Sequence, residues 1–357
     1  MLVIMDARAT DEDIQRVENR IRELGYKAHP IPGATRLAIG VTGNQGIEDR
    51  IYLEGLPGVQ QVIPVTKPYK LASRETKPEN SVVTVGHVKF GDGSVVMIAG
   101  PCAVESREQT LRIAEAVASL GAQMLRGGAY KPRTSPYTFQ GLGEPGLVIL
   151  AEARERTGLP VVTEVVDPGL APLVAKYADM LQIGTRNMQN FELLKEVGKL
   201  GKPVLMKRGM SATLDETLMS AEYLMSHGTH DVVICERGVR TFASHARNTL
   251  DVSVIPALKQ VSHLPIIVDP SHASGNRNSV IPLALAGVGA GADGLIVDVH
   301  DDPDHALVDG PQALLPKDFQ ALMGLLEKVT AALGRQFVLH RQPGKEPSND
   351  ALALAGR

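Results

Sequence analysis

The sequence predicts an α/β fold in which a (β/α)8 TIM barrel follows a small ferredoxin-like α+β domain. Eight apolar segments that resemble strands alternate with amphipathic segments in the larger, C-terminal part of the chain. Eight strand–helix units make up a closed parallel barrel, whereas an open doubly wound sheet usually needs fewer strands. The length of 357 residues also fits a barrel of about 250 residues with one small additional domain.

The first 67 residues predict the small domain. Two helical segments lie among four short strand candidates. The helical segments are DEDIQRVENRIRELG and GIEDRIYLEGLPG, and the strand candidates are LVIMDA, YKAHPI, RLAIGVTG and VQQVIPV. The first helical segment carries apolar residues at the spacing of one helix face, namely Ile14, Val17, Ile21 and Leu24. The order β-α-β-β-α-β is the split βαβ arrangement. We therefore predict a ferredoxin-like domain over 1–67, and both effector binding and a purely assembling role stay open.

Residues 68–82 are predicted to be a polar linker, and the barrel is predicted over 83–338. It begins with a hairpin that turns at Gly91-Asp92-Gly93 and leads into a buried strand. The barrel strands are predicted at VVMIAGP, AQMLRGG, LPVVTEV, DMLQIGTR, KPVLMKRG, DVVICERG, LPIIVDPSH and DGLIVDVH. The helix KDFQALMGLLEKVTAALG closes the ring, and the polar tail over 339–357 is expected to be disordered.

Composition limits the classes of partner. The formal net charge of −3 provides no excess of basic residues for nucleic acid. No apolar stretch approaches the length of a membrane span, and the acidic start does not resemble a signal peptide. Two cysteines, Cys102 and Cys235, are too few for a disulfide framework and fit a reducing compartment. We expect a cytoplasmic protein that binds neither nucleic acid nor membrane.

Nearly every predicted strand ends in a charged or metal-binding side chain. The carboxyl ends of barrel strands form the face that carries active sites. The residues at or just after the strand ends are Cys102, Arg126, Glu164, Arg186, Lys207 with Arg208, Glu236 with Arg237, Asp269 with His272, and Asp298 with His300. A barrel whose strands only packed against one another would end in varied turn residues. This pattern predicts an active site at that face.

Six cations are expected to converge there: Arg126, Lys131, Arg133, Arg186, Lys207 and Arg237. Their mutual repulsion is tolerable only if anions lie among them. Guanidinium groups match the oxygens of carboxylates and phosphates in pairs, so the set predicts multiply anionic substrates. A single arginine would more simply be a solvated surface residue, but six at one face favour substrate binding.

A second set lies near the seam of the barrel, where the first, seventh and eighth strands are neighbours. Its members are Cys102, His272, Asp298 and Asp309. Sulfur, nitrogen and oxygen donors together suit a divalent ion such as Mn, Fe, Co or Zn, and not calcium. Cys102 alone would more simply be a buried thiol, but the four together favour a metal. Cys235, which lies within a strand, is interpreted as a core residue, and His300 as a rim side chain.

These motifs resemble those of 3-deoxy-D-arabino-heptulosonate-7-phosphate (DAHP) synthase, in the type Iβ group with an N-terminal ferredoxin-like regulatory domain. The motifs are IAGPCAVES, RGGAYKPRTSPYTFQGLG, QIGTRNMQNF, LMKRGM, CERGVRTF, VDPSHASG and HDDPDHALVDG. The resemblance implies metal-dependent condensation of phosphoenolpyruvate with D-erythrose 4-phosphate and water, the first step of the shikimate pathway to aromatic amino acids. The alternative is 3-deoxy-D-manno-octulosonate-8-phosphate synthase, which has a KANRS-like run where this chain has KPRTS.

The resemblance also implies roles for individual residues. Phosphoenolpyruvate would be held by Arg126, Lys131, Arg186, Lys207 and Arg237, and erythrose 4-phosphate by Arg133, Thr134 and Ser135. The metal would be held by Cys102, His272, Asp298 and Asp309. Asp298 stands where the family usually has glutamate, and its shorter stem shifts either the oxygen or the ion. A homotetramer and inhibition by tyrosine or phenylalanine through the N-terminal domain are further implications.

The chemistry needs proton transfers. Lys131 is the candidate general acid toward the aldehyde oxygen, and either Glu164 or His272 would take the proton of the attacking water. Two functions of other kinds stay open. A Schiff-base aldolase would use Lys131 or Lys207 as a covalent nucleophile. A non-catalytic regulatory protein would bind phosphoenolpyruvate without releasing phosphate.

Overall fold

The computed structural model describes residues 1–32, 36–44, 48–63 and 67–340. These residues form two compact units. The N-terminal unit comprises Met1–Asn80 with Gln260–His263, and the barrel unit comprises Ser81–Lys259 and the described residues from Leu264 to His340. Within the described ranges, no helix is both long enough and apolar enough to cross a membrane.

The N-terminal unit is a four-stranded antiparallel sheet with two helices. Its elements are β1 (Leu2–Met5), α1 (Asp11–Glu23), β2 (Lys27–Pro32), β3 (Leu37–Thr42), α2 (Ile51–Glu54) and β4 (Val59–Ile63). The strand order β2-β3-β1-β4 places the first strand in the interior of the sheet, as in the split βαβ arrangement. The ferredoxin-like prediction is confirmed.

Helix α1 shows how the sequence determines where a helix of the N-terminal unit begins and which face it buries. The Thr10 hydroxyl accepts a hydrogen bond from the Asp13 backbone, and the Asp13 carboxylate accepts one from the Thr10 backbone, so a capping box begins the helix. Val17 and Ile21 then pack into the core of the unit. The second predicted helix is shorter than expected, since a 3-10 turn precedes α2. Residues 46–47 of that prediction and residues 64–65 of the fourth predicted strand lie outside the described residues.

The described part of the predicted linker is packed. Tyr69, Leu71 and Ala72 are buried. Ser73 forms an isolated antiparallel bridge with Ser262, and the Ser262 hydroxyl donates to the Ala72 carbonyl at 2.6 Å. The residues that follow the sheet therefore belong to the N-terminal unit as ordered structure. The domain boundaries at 67 and 82 stay predictions.

The barrel unit begins with a hairpin of β5 (Val83–Val85) and β6 (Val88–Phe90). Val85 lies opposite Val88, so the turn is Gly86-His87, and the predicted turn at Gly91-Asp92-Gly93 is wrong. Gly86 has a φ of +59°, the left-handed conformation that two-residue hairpin loops require. The three predicted turn residues instead connect β6 to the first barrel strand.

Eight parallel strands form a closed ring in chain order. They are β7 (Val96–Gly100), β8 (Met124–Arg126), β9 (Val161–Val165), β10 (Met180–Ile183), β11 (Val204–Lys207), β12 (Val232–Glu236), β13 (Ile266–Val268) and β14 (Gly294–Asp298). The helices are α3 (Arg107–Ser119), α4 (Glu144–Thr157), α5 (Ala171–Tyr177), α6 (Phe191–Gly198), α7 (Leu214–Ser226), α8 (Val254–Val261), α9 (Pro270–Ser274), α10 (Arg277–Gly289) and α11 (Pro316–Ala332). The predicted barrel is confirmed.

Alternate strand residues fill the barrel interior. The hairpin packs against one cluster of them, which contains Val96, Ile98, Met124, Val162, Met180, Leu205, Val233, Cys235, Ile267 and Ile296. We call this cluster the apolar layer. Cys235 belongs to it, as predicted for a core residue. Of the predicted tail, 341–357 lie outside the described residues, while the His340 backbone N–H donates to the Gly121 carbonyl at 3.1 Å.

Candidate active site

A cavity of about 530 Å³ opens at the carboxyl ends of the barrel strands. Eight cationic side chains line it: Arg126, Lys131, Arg133, Arg186, Lys207, Arg237, Arg240 and Arg247. Among the described residues, only two on this wall carry a carboxylate, Glu164 and Asp309. All six cations predicted to converge therefore share one cavity, and Arg240 and Arg247 add to the predicted set.

Strand alternation decides which charged residues reach this cavity. Lys207 lines it, but its neighbour Arg208 does not. Arg208 instead contacts Glu236 at 3.0 Å and Asp251 at 2.9 Å. Arg237, the next residue after Glu236, again lines the cavity. In the pairs Lys207–Arg208 and Glu236–Arg237, one residue therefore lines the cavity and the other belongs to an ion pair outside it.

Several cations have no carboxylate to neutralise them. Arg186 and Arg240 make no side-chain hydrogen bond or ion pair with the described residues. Burial lowers the pKa of Arg237, Asp269 opposes this effect, and Arg247 adds like-charge repulsion. A bound anion would relieve this excess of positive charge. The cavity is thus suited to ligands with several negative charges.

Two further cations lie in buried ion pairs. Arg126 contacts Asp298 at 2.5 Å, and Lys207 contacts Asp269. Burial acts to lower the pKa of Lys207, but the Asp269 carboxylate outweighs it and the pKa is raised. Lys207 therefore keeps its proton, which counts against its use as a Schiff-base nucleophile.

Three of the four predicted metal ligands surround one point. Cys102 Sγ lies 3.6 Å from His272 Nε2 and 3.2 Å from Asp309 Oδ2, and the last two atoms are 3.6 Å apart. Nitrogen, oxygen and sulfur ligands bonded to one tetrahedral zinc ion would be separated by about 3.3–3.6 Å, given bond lengths of about 2.0–2.3 Å. The thiol, imidazole and carboxylate thus fit a divalent ion.

Local packing produces this arrangement. Val308 packs against Cys102 and Ala103, which brings the adjacent Asp309 to the thiol. Asp309 has a φ of +55°, and its outer oxygen Oδ1 lies 3.2 Å from Arg247. That ion pair leaves Oδ2 directed at Cys102.

His272 is oriented by Asp269. Their Nδ1 and Oδ2 atoms are 2.8 Å apart, although the ring N–H does not point along a good hydrogen bond. Burial acts to lower the pKa of His272, but Asp269 and Asp298 outweigh it and raise the pKa to about 10. A metal ion would therefore have to displace a proton from this ring.

Asp298, the fourth predicted ligand, is buried behind the cavity wall. One of its oxygens lies within 4.8 Å of donor atoms of both Cys102 and His272. Gln312 Nε2 donates to its Oδ2 at 2.6 Å. Asp298 is thus brought to the predicted cluster, but its environment differs from that of the other three residues.

The two candidate proton carriers also lie at the site. Lys131 Nζ is 3.2 Å from Cys102 Sγ and 3.0 Å from the Cys102 carbonyl oxygen. Glu164 lines the cavity, and its carboxylate makes no hydrogen bond with the described residues. Glycine at 184 makes room for it, since a Cβ there would lie 1.9 Å from Glu164 Oε1.

The KPRTS loop occupies the mouth of the cavity. Arg133, Thr134 and Ser135 line it and are partly or fully exposed, whereas Arg126 and Lys207 are buried. Arg133 Nε donates to Thr138 Oγ1 at 3.2 Å. The site therefore has a deep group of cations and a separate group at the rim, which could hold two different anions.

Sequence reasoning missed some residues of the site. Gln182 lies two residues after Met180 of the apolar layer and lines the cavity, so strand alternation could have identified it. Arg240, Arg247 and Asn248 lie in the loop after β12, where no periodicity indicates which way a side chain points.

His300, which follows the last barrel strand, does not line the cavity. Its Nε2 lies 3.6 Å from Glu105 Oε2.

Comparison with known proteins gives two family matches. The description "DAHP synthetase I family" matches residues 71–335, and "DAHP synthase ferredoxin-like domain" matches residues 1–67. A phospho-2-dehydro-3-deoxyheptonate aldolase of Thermotoga maritima is 48% identical over 94% of this chain and 99% of its own length. A 2-dehydro-3-deoxyphosphooctonate aldolase of Rhodopseudomonas palustris is 33% identical over 71% of this chain and 95% of its own length.

Solved structures agree with these relatives. The crystal structure of the Thermotoga maritima DAHP synthase has a TM-score of 0.75 and 47% identity, and the match covers 94% of this chain and 98% of that chain. A truncated form of the 3-deoxy-D-arabino-heptulosonate 7-phosphate synthase from the same organism has a TM-score of 0.71 at 47% identity, covering 75% of this chain and 98% of that chain.

Proposed function

Because this chain belongs to the DAHP synthetase I family, we propose that it condenses phosphoenolpyruvate with D-erythrose 4-phosphate and water to give DAHP and phosphate. The observation that carries the proposal is the single cavity with eight cations beside a thiol, an imidazole and a carboxylate. The lower identity to the octulosonate enzymes, 33% against 48%, makes the alternative sugar substrate less favoured.

The two anions would occupy the two groups of cations. Arg126, Lys131, Arg186, Lys207 and Arg237 would hold the phosphate and carboxylate of phosphoenolpyruvate. Arg133, Thr134 and Ser135 would hold the phosphate of the aldose at the rim. Holding both reactants at one site replaces a bimolecular encounter between repelling anions with a step of much higher effective concentration.

A divalent metal, for which Mn, Fe, Co and Zn suit the donors, would be held by Cys102, His272 and Asp309, with Asp298 beside them. When bound, it supplies Lewis-acid polarisation of the aldehyde oxygen or lowers the pKa of a water.

The chain's own residues would carry the protons. C3 of phosphoenolpyruvate forms a bond to the aldehyde carbon, and Lys131 donates a proton to the aldehyde oxygen. Positive charge develops at C2, where water adds and passes a proton to Glu164. The C2–O bond then breaks, phosphate leaves with its electron pair, and the new C2 hydroxyl becomes the keto group as its proton passes to the departing phosphate. Glu164 is preferred to His272 for the water proton, because the Glu164 side chain lines the cavity without a hydrogen bond to the described residues, whereas His272 would be held by the metal.

A phosphate-release assay tests the proposed function. Phosphoenolpyruvate is supplied with either erythrose 4-phosphate or arabinose 5-phosphate, with and without a chelator. We expect release with erythrose 4-phosphate, abolished by the chelator and restored by added Mn²⁺ or Co²⁺. Release only with arabinose 5-phosphate would favour the octulosonate enzyme, and borohydride trapping of a substrate adduct would favour a Schiff-base aldolase. Binding of phosphoenolpyruvate without any phosphate release would favour a non-catalytic role.

We further propose that the N-terminal domain mediates inhibition by tyrosine or phenylalanine. Support comes from the match of residues 1–67 to the ferredoxin-like domain of DAHP synthases. Removing 1–67 keeps Ser73 with its bridge partner Ser262, so we expect activity to remain and inhibition to disappear. Equal inhibition of the truncated enzyme would place the effector site elsewhere.

The remaining proposals concern the state of the enzyme in the cell. We propose a cytoplasmic homotetramer, because the family implies that assembly and Cys102 must stay reduced to serve as a ligand. Light scattering of the purified full chain checks the assembly, with a monomeric mass as the contradicting result.

A further inference from the structure

Asp298 has donors at both of its carboxylate oxygens. Oδ1 accepts from Arg126 Nη1 at 2.5 Å, and Oδ2 accepts from Gln312 Nε2 at 2.6 Å. The residue is only 1% exposed, so no water competes for these oxygens from the bulk. A buried guanidinium of this kind requires a carboxylate partner, because an unpaired charge there is strongly destabilising. Both hydrogen bonds hold the Asp298 carboxylate in place.

The position of Asp298 relative to His272 differs from that of the other candidate ligands. Cys102 Sγ and Asp309 Oδ2 both lie 3.6 Å from Nε2 of the imidazole. Asp298 contacts the ring through Oδ2, which lies 3.6 Å from Nδ1. Nδ1 is the ring nitrogen that faces Asp269, on the side away from the ion that Nε2 would bind. Asp298 therefore contacts the imidazole at Nδ1, although one of its oxygens also lies within 4.8 Å of Cys102 Sγ.

The short side chain of Asp298 also limits how closely its carboxylate can approach an ion at Cys102. An additional methylene, as in glutamate, would extend the carboxylate by about 1.5 Å. Aspartate lacks this reach, and its two hydrogen bonds oppose a movement toward Cys102. A catalytic centre with three protein ligands keeps an open position for water or substrate, so Cys102, His272 and Asp309 would suffice without a fourth protein ligand.

We propose that Asp298 is not a metal ligand in this protein but a positioning residue that holds Arg126 and Gln312. The metal is then bound by Cys102, His272 and Asp309 alone. This inference rests on the proposed function, because it presumes that a metal binds at this cluster. It assigns Asp298 to substrate binding instead, since Arg126 at the cavity wall depends on Asp298 for its orientation.

Co²⁺ titration of the full chain tests the inference through optical spectra, which report the number of ligands and the thiolate bond independently of activity. In Asp298→Asn, the charge-transfer and d–d bands should match those of the unmodified protein, because no ligand is lost. In Asp298→Glu, the longer side chain should reach the ion, so the d–d bands should weaken and the affinity should rise. Asp309→Asn is the control, and it should weaken Co²⁺ binding at least about tenfold.

Steady-state kinetics provide the second readout. Asp298→Asn should raise the KM for phosphoenolpyruvate about tenfold, with a smaller change in kcat, because Arg126 loses its charged partner. An Asp298→Asn spectrum that differs from that of the unmodified protein, or an Asp298→Glu spectrum identical to it, overturns the inference. If Asp298→Asn does not fold, the Asp298→Glu spectrum decides alone. Absence of phosphate release in the unmodified protein would instead refute the proposed function.

Discussion

The apolar layer and the active site of the barrel lie two residues apart on the same strands. Met124 precedes Arg126, Val162 precedes Glu164, and Leu205 precedes Lys207, with the first of each pair in the apolar layer and the second on the cavity wall. Both members of each pair face the barrel interior, because side chains of a strand alternate between its faces. A distance of two residues along each strand therefore separates the side chains expected to determine stability from those expected to determine function.

The two regions differ in how they tolerate change. The apolar layer is closed by the β5–β6 hairpin and contains close-packed residues, where lost volume costs stability. The cavity wall contains charges whose mutual repulsion the protein only partly relieves. Substitutions in the two layers should accordingly be separable by experiment, and the following predictions test that separation.

The largest effect is expected at Lys131. Lys131→Met removes the proposed proton donor and should lower kcat about 10³-fold. Assays of phosphate release, quenched at fixed times, measure kcat at saturating concentrations of both substrates. Lys176→Met on the exposed face of α5 is the matched control and should leave kcat unchanged. Near-normal turnover of Lys131→Met would remove this residue from the mechanism.

In the apolar layer, Leu205→Ala should lower the free energy of unfolding by about 2–5 kcal/mol. The fully buried side chain leaves a cavity where neighbouring strands meet. Denaturant unfolding measures the loss, and kcat per folded molecule should stay unchanged at low temperature. A selective loss of kcat with unchanged stability would show that the two layers are not separate.

Arg186 lies on the cavity wall and has no ion-pair partner among the described residues, so its substitution tests substrate binding separately from stability. Arg186→Gln should raise the KM for phosphoenolpyruvate by about 10- to 100-fold, the value of one lost charge-assisted interaction. Stability should change by less than about 0.5 kcal/mol, since the side chain has no ion pair among the described residues. Initial-rate kinetics and thermal unfolding of the same preparation provide both numbers. A large loss of stability with unchanged KM would contradict a substrate-binding role.

The smallest effect on stability is expected at Cys235, and Cys102 provides the comparison for metal binding. Cys235→Ala should cost about 1 kcal/mol of stability and leave bound metal unchanged, because Cys235 lies in the apolar layer. Burial also raises the pKa of its thiol, which should keep it unreactive toward alkylating reagents in the folded protein. Cys102→Ala should lose the metal measured by elemental analysis. Equal metal content in both variants would contradict the proposed centre.

Sequence periodicity was sufficient to predict the barrel, because both the apolar layer and the polar residues of the cavity wall form recognisable patterns in the sequence. Eight apolar segments, each ending in a polar residue, predicted the strands and the face that carries the cavity. The hairpin turn was predicted wrongly, because the composition of Gly91-Asp92-Gly93 is more turn-like than that of Gly86-His87, while strand register determines the turn.

The cavity could be predicted only where strands lead into it. Lys207 and Arg237 follow from strand ends, but Arg247 reaches Asp309 from a loop whose path depends on tertiary packing. The environment of Asp298 is similarly hidden from the sequence. Its contacts with Arg126 and Gln312 join residues 172 and 14 positions away along the chain, and no local pattern records either contact.

The most direct test of one shared site is anomalous diffraction from crystals of the full chain with Co²⁺ and phosphoenolpyruvate. We expect one ion within bonding distance of Cys102 Sγ, His272 Nε2 and Asp309 Oδ2, and contacts of the phosphoenolpyruvate phosphate and carboxylate with Arg186 and Arg237. An ion bound away from these three atoms, or phosphoenolpyruvate bound outside the cavity, would contradict this expectation.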